Sequence, residues 1–354
     1  MKESFKKSRW IFNVFPSLFN FWPLLLIFSQ KALIFPGYFF YFNGIYKNYA
    51  KDILIIISLL IFAELTYVLQ ESNHYALIHL AGYSLFLLSI PIINKSVCGY
   101  KENLVKAVSF FTFFNSCLAI LIYIFSIDIS EYRGLNRIIG DDGVVARIFY
   151  ESSSLIAVFS LGFVRNRFIK YIVFFVVLFY AIFLAKSIFV IGLYILNYGL
   201  GKIIKSKIWM KFIIAFLFIV ACIIIYSSLF YIRPDIGLSL SFKLNQLYSI
   251  LNDDSSLILG SGWGYVIQGI GDSLEQPYQI EMQLPMLFRQ IGISGMFFYV
   301  VGIFLLIKSV SKTWRVSFLR LLVYFAIGLN NPWLFLPSWY MTAVLMFQYL
   351  DDKK

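Results

Sequence analysis

From Ile53 to Leu69 the chain carries one charged residue, Glu64, and from Phe212 to Tyr231 it carries none. Apolar runs of this length exceed what a soluble core uses and approach the roughly 20 residues a helix needs to cross about 30 Å of hydrocarbon. With 60% hydrophobic and 14% charged residues overall, the expectation is an all-α polytopic membrane protein, one membrane domain over residues 1–354. The apolar runs fit about 12 transmembrane helices, centred on residues 11–28, 32–46, 53–69, 76–93, 104–126, 147–164, 168–185, 187–201, 212–231, 284–307, 318–331 and 333–350. Lys2, Lys6, Lys7 and Arg9 precede an apolar run that lacks a small-residue cleavage site, which is read as an uncleaved first helix.

The formal net charge of +12 does not point to nucleic acid, because most basic residues fall in short connections between apolar runs. With both termini cytoplasmic, about 22 of the 30 basic residues lie inside, in groups such as Lys95/Lys101/Lys106 and Lys308/Lys312/Arg315/Arg320. Orientation explains the charge without a polyanionic partner. Cys98, Cys117 and Cys222 lie in or beside apolar segments, so no disulfide framework is implied. Two histidines and no Cys/His cluster give no expectation of zinc or any other metal.

One polar interruption of about fifty residues, from roughly Tyr231 to Glu281, forms a large outer loop over 232–283, expected to contain short helices. Eight basic residues fall on the outer side against the charge bias: Lys31, Arg133, Arg137, Arg147, Lys186, Arg233, Lys243 and Arg289. Arg147 is expected to open span six, with Glu151 one turn on along the same helical face, and Arg289 to lie one turn inside span ten. Cations from several helices at one level suit an anionic group, and arginine offers bidentate donors to phosphate. The alternative for each is a side chain that snorkels to headgroups or pairs with a neighbouring carboxylate.

Within the loop, Leu259-Gly260-Ser261-Gly262-Trp263-Gly264-Tyr265 alternates glycine with other residues, which permits tight turns and close backbone approach. Trp263 and Tyr265 are expected at the membrane interface or stacked on a sugar ring. Trp10, Trp22, Trp333 and Trp339 are expected as interfacial anchors. Pro285 fits the first turn of a helix, so span ten should begin near Leu284 with Glu281 just before it. Glu281 is then a candidate general base, with helix capping as its structural alternative.

These elements together resemble the O-antigen polymerase and O-antigen ligase families, multispanning glycosyltransferases acting on lipid-linked oligosaccharides. Leu259-Gly260-Ser261-Gly262-Trp263-Gly264 is similar to their Gly-x-Gly-x-Gly element near the end of the large periplasmic loop. Glu281 precedes Gly292-Ile293-Ser294-Gly295 at the place where ligases carry a histidine before Gly-Ile-x-Gly. Arg147 and the stretch to Ala157 resemble the start of a mid-chain span, and Lys186-Ser187 stands where many members show Ser-Arg. The glutamate in place of histidine favours polymerase over ligase.

The resemblance implies metal-independent transfer, without a cofactor, between undecaprenyl-pyrophosphate-linked oligosaccharides at the periplasmic face of the bacterial inner membrane. Glu281 would be catalytic, with Arg147, Arg289, Arg233 and Lys186 binding pyrophosphate. Membrane lipid and a chain-length regulator protein are the further partners it implies, and the donor linkage would invert. The rival classes are the ligase, passing glycan to a lipid A core, and a lipid-linked-oligosaccharide flippase, for which Glu64 within span three is the best-fitting residue.

Overall fold

The computed structural model describes residues 50–69, 75–127, 135–139, 145–205, 236–253, 258–267, 282–329 and 334–351, with isolated positions between 209 and 280. The first two expected spans, most of span nine, Glu281, Arg233, Trp10, Trp22 and Trp333 lie outside these residues. The described chain is mostly helical. Four of its helical segments are long and apolar enough to cross a membrane: Ala76–Gly99, Lys101–Ile124, Arg167–Leu184 and Gln283–Ser309.

Helix α1 (Ala50–Leu69) shows how the sequence sorts its faces. Leu54, Ile57, Ile61, Leu65 and Val68 recur every three or four residues and are exposed, whereas Ile56, Leu59, Ala63 and Thr66 are buried. A helix apolar on both faces has one stripe for protein and one for lipid. Glu64 falls on the exposed side. Helix α2 (Ala76–Ile124) runs without a break through the expected connection at Lys95–Lys106. At about 1.5 Å per residue its 49 residues amount to about 74 Å of helix, more than two hydrocarbon thicknesses, and they hold two of the four segments apolar enough to cross.

Span six departs from the expectation. Residues 147–164 are not an α-helix: β1 (Leu135–Ile139) and β2 (Val145–Tyr150) form an antiparallel hairpin. A 3-10 helix, Glu151–Val158, follows it, and a second short one covers Leu161–Phe163. The β-branched and aromatic run Val145 to Tyr150 suits a strand. Ser152-Ser153-Ser154 then competes with the backbone for hydrogen bonds, which disfavours a regular α-helix. Arg147 therefore sits on a strand, and the shared helical face with Glu151 does not exist.

Helix α3 (Arg167–Phe179) starts at an Asn166 cap, whose Oδ1 accepts from the Phe168 and Ile169 amides. It continues into a π-turn, Tyr180–Leu184, before α4 (Ile188–Lys205). Helix α5 (Ile236–Leu251) belongs to the loop region, α6 (Gln283–Ser309) follows it, and α7 (Trp314–Gly328) is capped by Thr313. The last expected span is split into α8 (Pro337–Leu345) and α9 (Gln348–Asp351), with Phe347 at φ 58 between them. At about 14 Å, α8 is too short to cross a bilayer.

Every residue of α8 is buried, and it packs on the 3-10 helix, α2 and α7 at the centre of the fold. Trp339 is accordingly a core residue, fully buried, and not the interfacial anchor its type suggested. The 3-10 helix fills the remaining space against α4. Two of its polar groups are met by neighbouring helices: Asn197 Nδ2 of α4 donates to Ala157 O at 3.0 Å, and the Thr342 hydroxyl of α8 donates to Ser154 Oγ at 3.0 Å.

The bundle has two chemically different ends. At one, Asp52 Oδ2 accepts from Asn94 Nδ2 at 3.0 Å and from Ser309 Oγ at 2.9 Å, gathering the start of α1, the middle of α2 and the end of α6. Arg320 also belongs to that end. It is a fully buried residue of α7, expected in a connection, and it pairs with Asp351 at 2.9 Å while donating to Met346 O and Ser311 Oγ. Lys51, Lys95 and Lys308 adjoin this polar knot in sequence. The other end carries the glycine-rich loop.

Candidate functional site

Helix α6 breaks at Gly292, whose φ of 69 and ψ of −177 lie far from helical values. An unbroken helix would give the carbonyls of Arg289 and Gln290 to the amides of residues 293 and 294. The glycine-rich loop takes them instead: Ser261 N donates to Arg289 O at 2.8 Å and Gly262 N to Gln290 O at 3.0 Å. In return Ser294 N and Oγ donate to Ile258 O at 3.3 and 2.9 Å. Loop and helix thus complete one another, as backbone at membrane depth requires.

This clamp explains its glycines by contact. A Cβ on Gly260 would lie 2.5 Å from Gly292 N and 2.6 Å from the Gln290 carbonyl carbon. A Cβ on Gly292 would lie 2.5 Å from Gly260 N and 2.6 Å from the carbonyl carbon of Leu259. Gly260, Gly262 and Gly264 all have positive φ, at 83, 96 and 73, so the alternating motif is an alternation of left-handed turns. Close backbone approach was the reading from sequence. Its partner, Gly292, was legible only as the first residue of Gly292-Ile293-Ser294-Gly295, and Gly295 packs against Ile291 and Phe62.

Trp263 drives the loop inward. It is 2% exposed, its Nε1 donates to Thr66 Oγ1 at 2.9 Å and to Ala63 O at 3.1 Å, and its ring packs on His79 and Tyr83. That corrects the expectation of an interfacial or sugar-stacking tryptophan: its large ring and single N–H are used to pin the loop to the ends of α1 and α2. Tyr265 is half-buried, and its hydroxyl donates to Asp253 Oδ1 at 2.9 Å. Burial, and then the bond to that carboxylate, push its phenol up.

Arg289 is 4% exposed, one turn ahead of the break. Its Nε donates to Ile250 O at 2.6 Å and its Nη2 to Leu251 O at 2.9 Å. The guanidinium therefore caps the last carbonyls of α5, a favourable place for a cation at a helix C-terminus. Ile250, Ile267, Ile270, Ile280 and Met286 form a small apolar cluster beneath it. Ile280 and Met282, the neighbours of Glu281, both pack in that cluster. Helix α6 begins at Gln283, with Pro285 in its first turn as expected.

Arg147 and Lys186 form a second group. Arg147 Nε donates to Ala185 O at 2.6 Å, and its guanidinium carbon stands 4.5 Å from the centre of the Phe149 ring. Tyr150 stacks on Tyr180 at 5.2 Å, so strand β2 is fastened to the π-turn at two points. Lys186, half-buried, holds φ at 45, a left-handed conformation uncommon outside glycine and asparagine. The other end of α3 lies by Gly162, where a Cβ would meet the Lys106 side chain, so Arg147 and Lys186 stand at the end of α3 away from Lys106.

Compared with family models, with curated proteins and with solved structures, the chain has no match in any of the three.

Proposed function

We propose that the chain is a surface-polysaccharide polymerase of the O-antigen type, joining undecaprenyl-pyrophosphate-linked oligosaccharides at the outer face of the bacterial inner membrane. The observation that carries this reading is the Gly260–Gly292 clamp. It binds the large loop to the break at Gly292, eleven residues after Glu281, in the helix that starts just beyond that carboxylate, which supplies ordered irregular backbone near a membrane enzyme's substrates. The positive-inside bias of the lysines beside Asp52, Asn94 and Ser309 supports reading that end as the cytoplasmic one, with the loop outside and both termini inside as the charge pattern predicts.

In this reading Glu281 takes the proton from the acceptor sugar hydroxyl as its oxygen bonds to the donor's anomeric carbon. The bond from that carbon to the pyrophosphate oxygen breaks, undecaprenyl pyrophosphate leaves with the electron pair, and the anomeric centre inverts. Arg147 and Lys186 meet the leaving anion, joined by Arg233 from the loop. Arg289, with two nitrogens given to α5 carbonyls, positions α5 against the start of α6. Both substrates keep their tails in the bilayer throughout.

The test is polymerisation of a purified lipid-pyrophosphate-linked repeat unit, followed as a glycan ladder on a gel. A ladder from wild type that is lost in a folded Glu281→Gln protein supports the polymerase with Glu281 as base. A ladder from both removes Glu281 from the chemistry. No ladder from either, with transfer to a lipid A core or lipid translocation instead, replaces the polymerase by one of its rivals.

A further inference from the structure

Helix α5 presents three chemically distinct sides. Leu240, Leu244, Tyr248 and Leu251 are each more than half exposed. At 3.6 residues per turn they share one stripe about 80° wide that runs along the helix. Ser241, Asn245 and Ser249 follow on the adjoining side, exposed or half-exposed. Gln246 and Ile250 are buried on the third, where Ile250 joins the apolar cluster with Met286 of α6. Among the described residues, Phe242 is the one exposed large apolar side chain of α5 outside the stripe. A helix between protein and water needs only a buried side and a polar side. A further side, apolar and exposed, calls for a third medium.

Hydrogen bonds to α6 fix the level of this helix. Lys308 stands in the last turn of α6 and, as a charge that is costly in hydrocarbon, marks one boundary of the membrane. From Lys308 to Arg289 the helix can rise no more than about 28 Å, at about 1.5 Å per residue, against about 30 Å of hydrocarbon. Arg289, with the Ile250 and Leu251 carbonyls that it holds, therefore stands at the far boundary. Ser294, which donates to Ile258 O, is at most about 21 Å from Lys308 and so lies inside the hydrocarbon. Ile258 and Leu259 are exposed at that level, as are Ile293 and Phe297 of α6. If α5 stood upright on the boundary, Leu240 would be carried about 16 Å out into water. The stripe reaches Leu240, so the axis of α5 lies along the surface.

We infer that α5 is an in-plane membrane helix. Its Leu240–Leu244–Tyr248–Leu251 stripe rests in the acyl chains of the bilayer, its serine and asparagine side faces water, and its third side packs on the protein. Bilayer lipid is the occupant because the C-terminal end of the stripe is held at the hydrocarbon edge. A second copy of the chain on the same stripe is the competing occupant. Arg289 carries the consequence into the bundle: by holding the last carbonyls of α5, it ties the depth of the loop to α6. This placement is independent of the chemistry proposed for Glu281.

The experiment puts one nitroxide label at a time on the full chain in phosphatidylcholine vesicles, with Cys98, Cys117 and Cys222 changed to alanine. Leu240→Cys, Leu244→Cys, Tyr248→Cys and Leu251→Cys carry the label on the stripe, Asn245→Cys and Ser249→Cys on the polar side, and Phe297→Cys on α6 as the lipid reference. Collisions with oxygen, which concentrates in hydrocarbon, are compared with those of a water-soluble nickel chelate. Labels on the stripe should favour oxygen and report depths of about 5–10 Å below the headgroups, whereas those at 245 and 249 should favour nickel. Should the cysteine-free chain fail to fold, a photoreactive benzoylphenylalanine at position 248 of the otherwise unchanged chain carries the test. It should give lipid adducts by mass spectrometry, as the same group does at position 297.

Nickel contact on the stripe equal to that at 245 and 249 overturns the placement, because the stripe then faces water. Labels on the stripe that are shielded from both reagents and broadened by a neighbouring label, or crosslinks at 248 to a second copy of the chain, overturn it in favour of a protein partner.

Discussion

Gly260→Ala is the substitution on which the clamp stands or falls. The added methyl carbon would sit 2.5 Å from Gly292 N, inside the 3.0 Å that such contacts observe, so loop and helix must part by about half an ångström. The Gly262 N to Gln290 O bond, now 3.0 Å, would open to the edge of hydrogen bonding, and Ser261 N to Arg289 O would follow. Each buried pair left unmade costs about 1–3 kcal/mol, and holding alanine at φ 83 adds roughly 1–2 kcal/mol. The expected total is about 3–5 kcal/mol, a large share of a domain's stability. Gly99→Ala is the control: it lies in α2 with nothing within 4 Å of its Cβ, and alanine there should be neutral or stabilising by about 0.5–1 kcal/mol. Unfolding in mixed micelles, read by tryptophan fluorescence, compares the two. Gly292→Ala should match Gly260→Ala, and the double variant should lose less than the sum because the first methyl already opens the clamp. A Gly260→Ala protein as stable as Gly99→Ala refutes the clamp.

Trp263→Phe keeps the ring but removes the donor to Thr66 and Ala63, and should cost about 1–2 kcal/mol; Trp263→Ala, which also empties the site, should cost about 3–5 kcal/mol in the same unfolding measurement. Asp351→Leu strips the buried Arg320 of its counter-ion and should cost about 3–5 kcal/mol, whereas Arg320→Met with Asp351→Leu should recover most of that loss because neither charge is then left alone. Arg289→Lys replaces a fork with a point charge and should lower stability by about 1–2 kcal/mol, with faster hydrogen exchange at the C-terminal turn of α5. Unchanged exchange with a raised KM for the lipid-linked substrate would make Arg289 a ligand instead of a cap.

The membrane class, the start of α3 and the start of α6 were legible because they depend on local signals: apolar length, and for α6 a proline in a first turn. The glycine motif announced close backbone approach, but not what approached it, since the partner lies about thirty residues on and is identified only by the fold. Hydropathy misread residues 147–164 because it scores burial without conformation. A buried 3-10 helix and a lipid-facing α-helix are equally apolar, and only the strand-forming run at 145–150 and the three serines distinguish them. Trp263 and Trp339 were misplaced for a related reason: tryptophan's amphipathic ring suits an interface, yet a buried partner for its N–H, as at Thr66, serves Trp263 equally well.

The irregular backbone of this protein is not scattered. The 3-10 helix, the π-turn, Lys186 and the Gly292 break all replace regular helix, and carbonyls at these places are taken by other elements of the protein. Asn197 takes Ala157 O, Arg147 takes Ala185 O, and the glycine loop takes the carbonyls freed in α6. Because exposed, unpaired backbone is not tolerated in hydrocarbon, such breaks persist only where the protein itself supplies the missing partner. The partners here come from segments far away in sequence, so the breaks and their covers must form together. A substitution that removes one cover should therefore unfold more than its own contact: losing the clamp frees α6, Trp263 and the ends of α1 and α2 at once. That coupling makes the end of the bundle bearing Gly260, Arg289 and the entry to α6 a single cooperative unit.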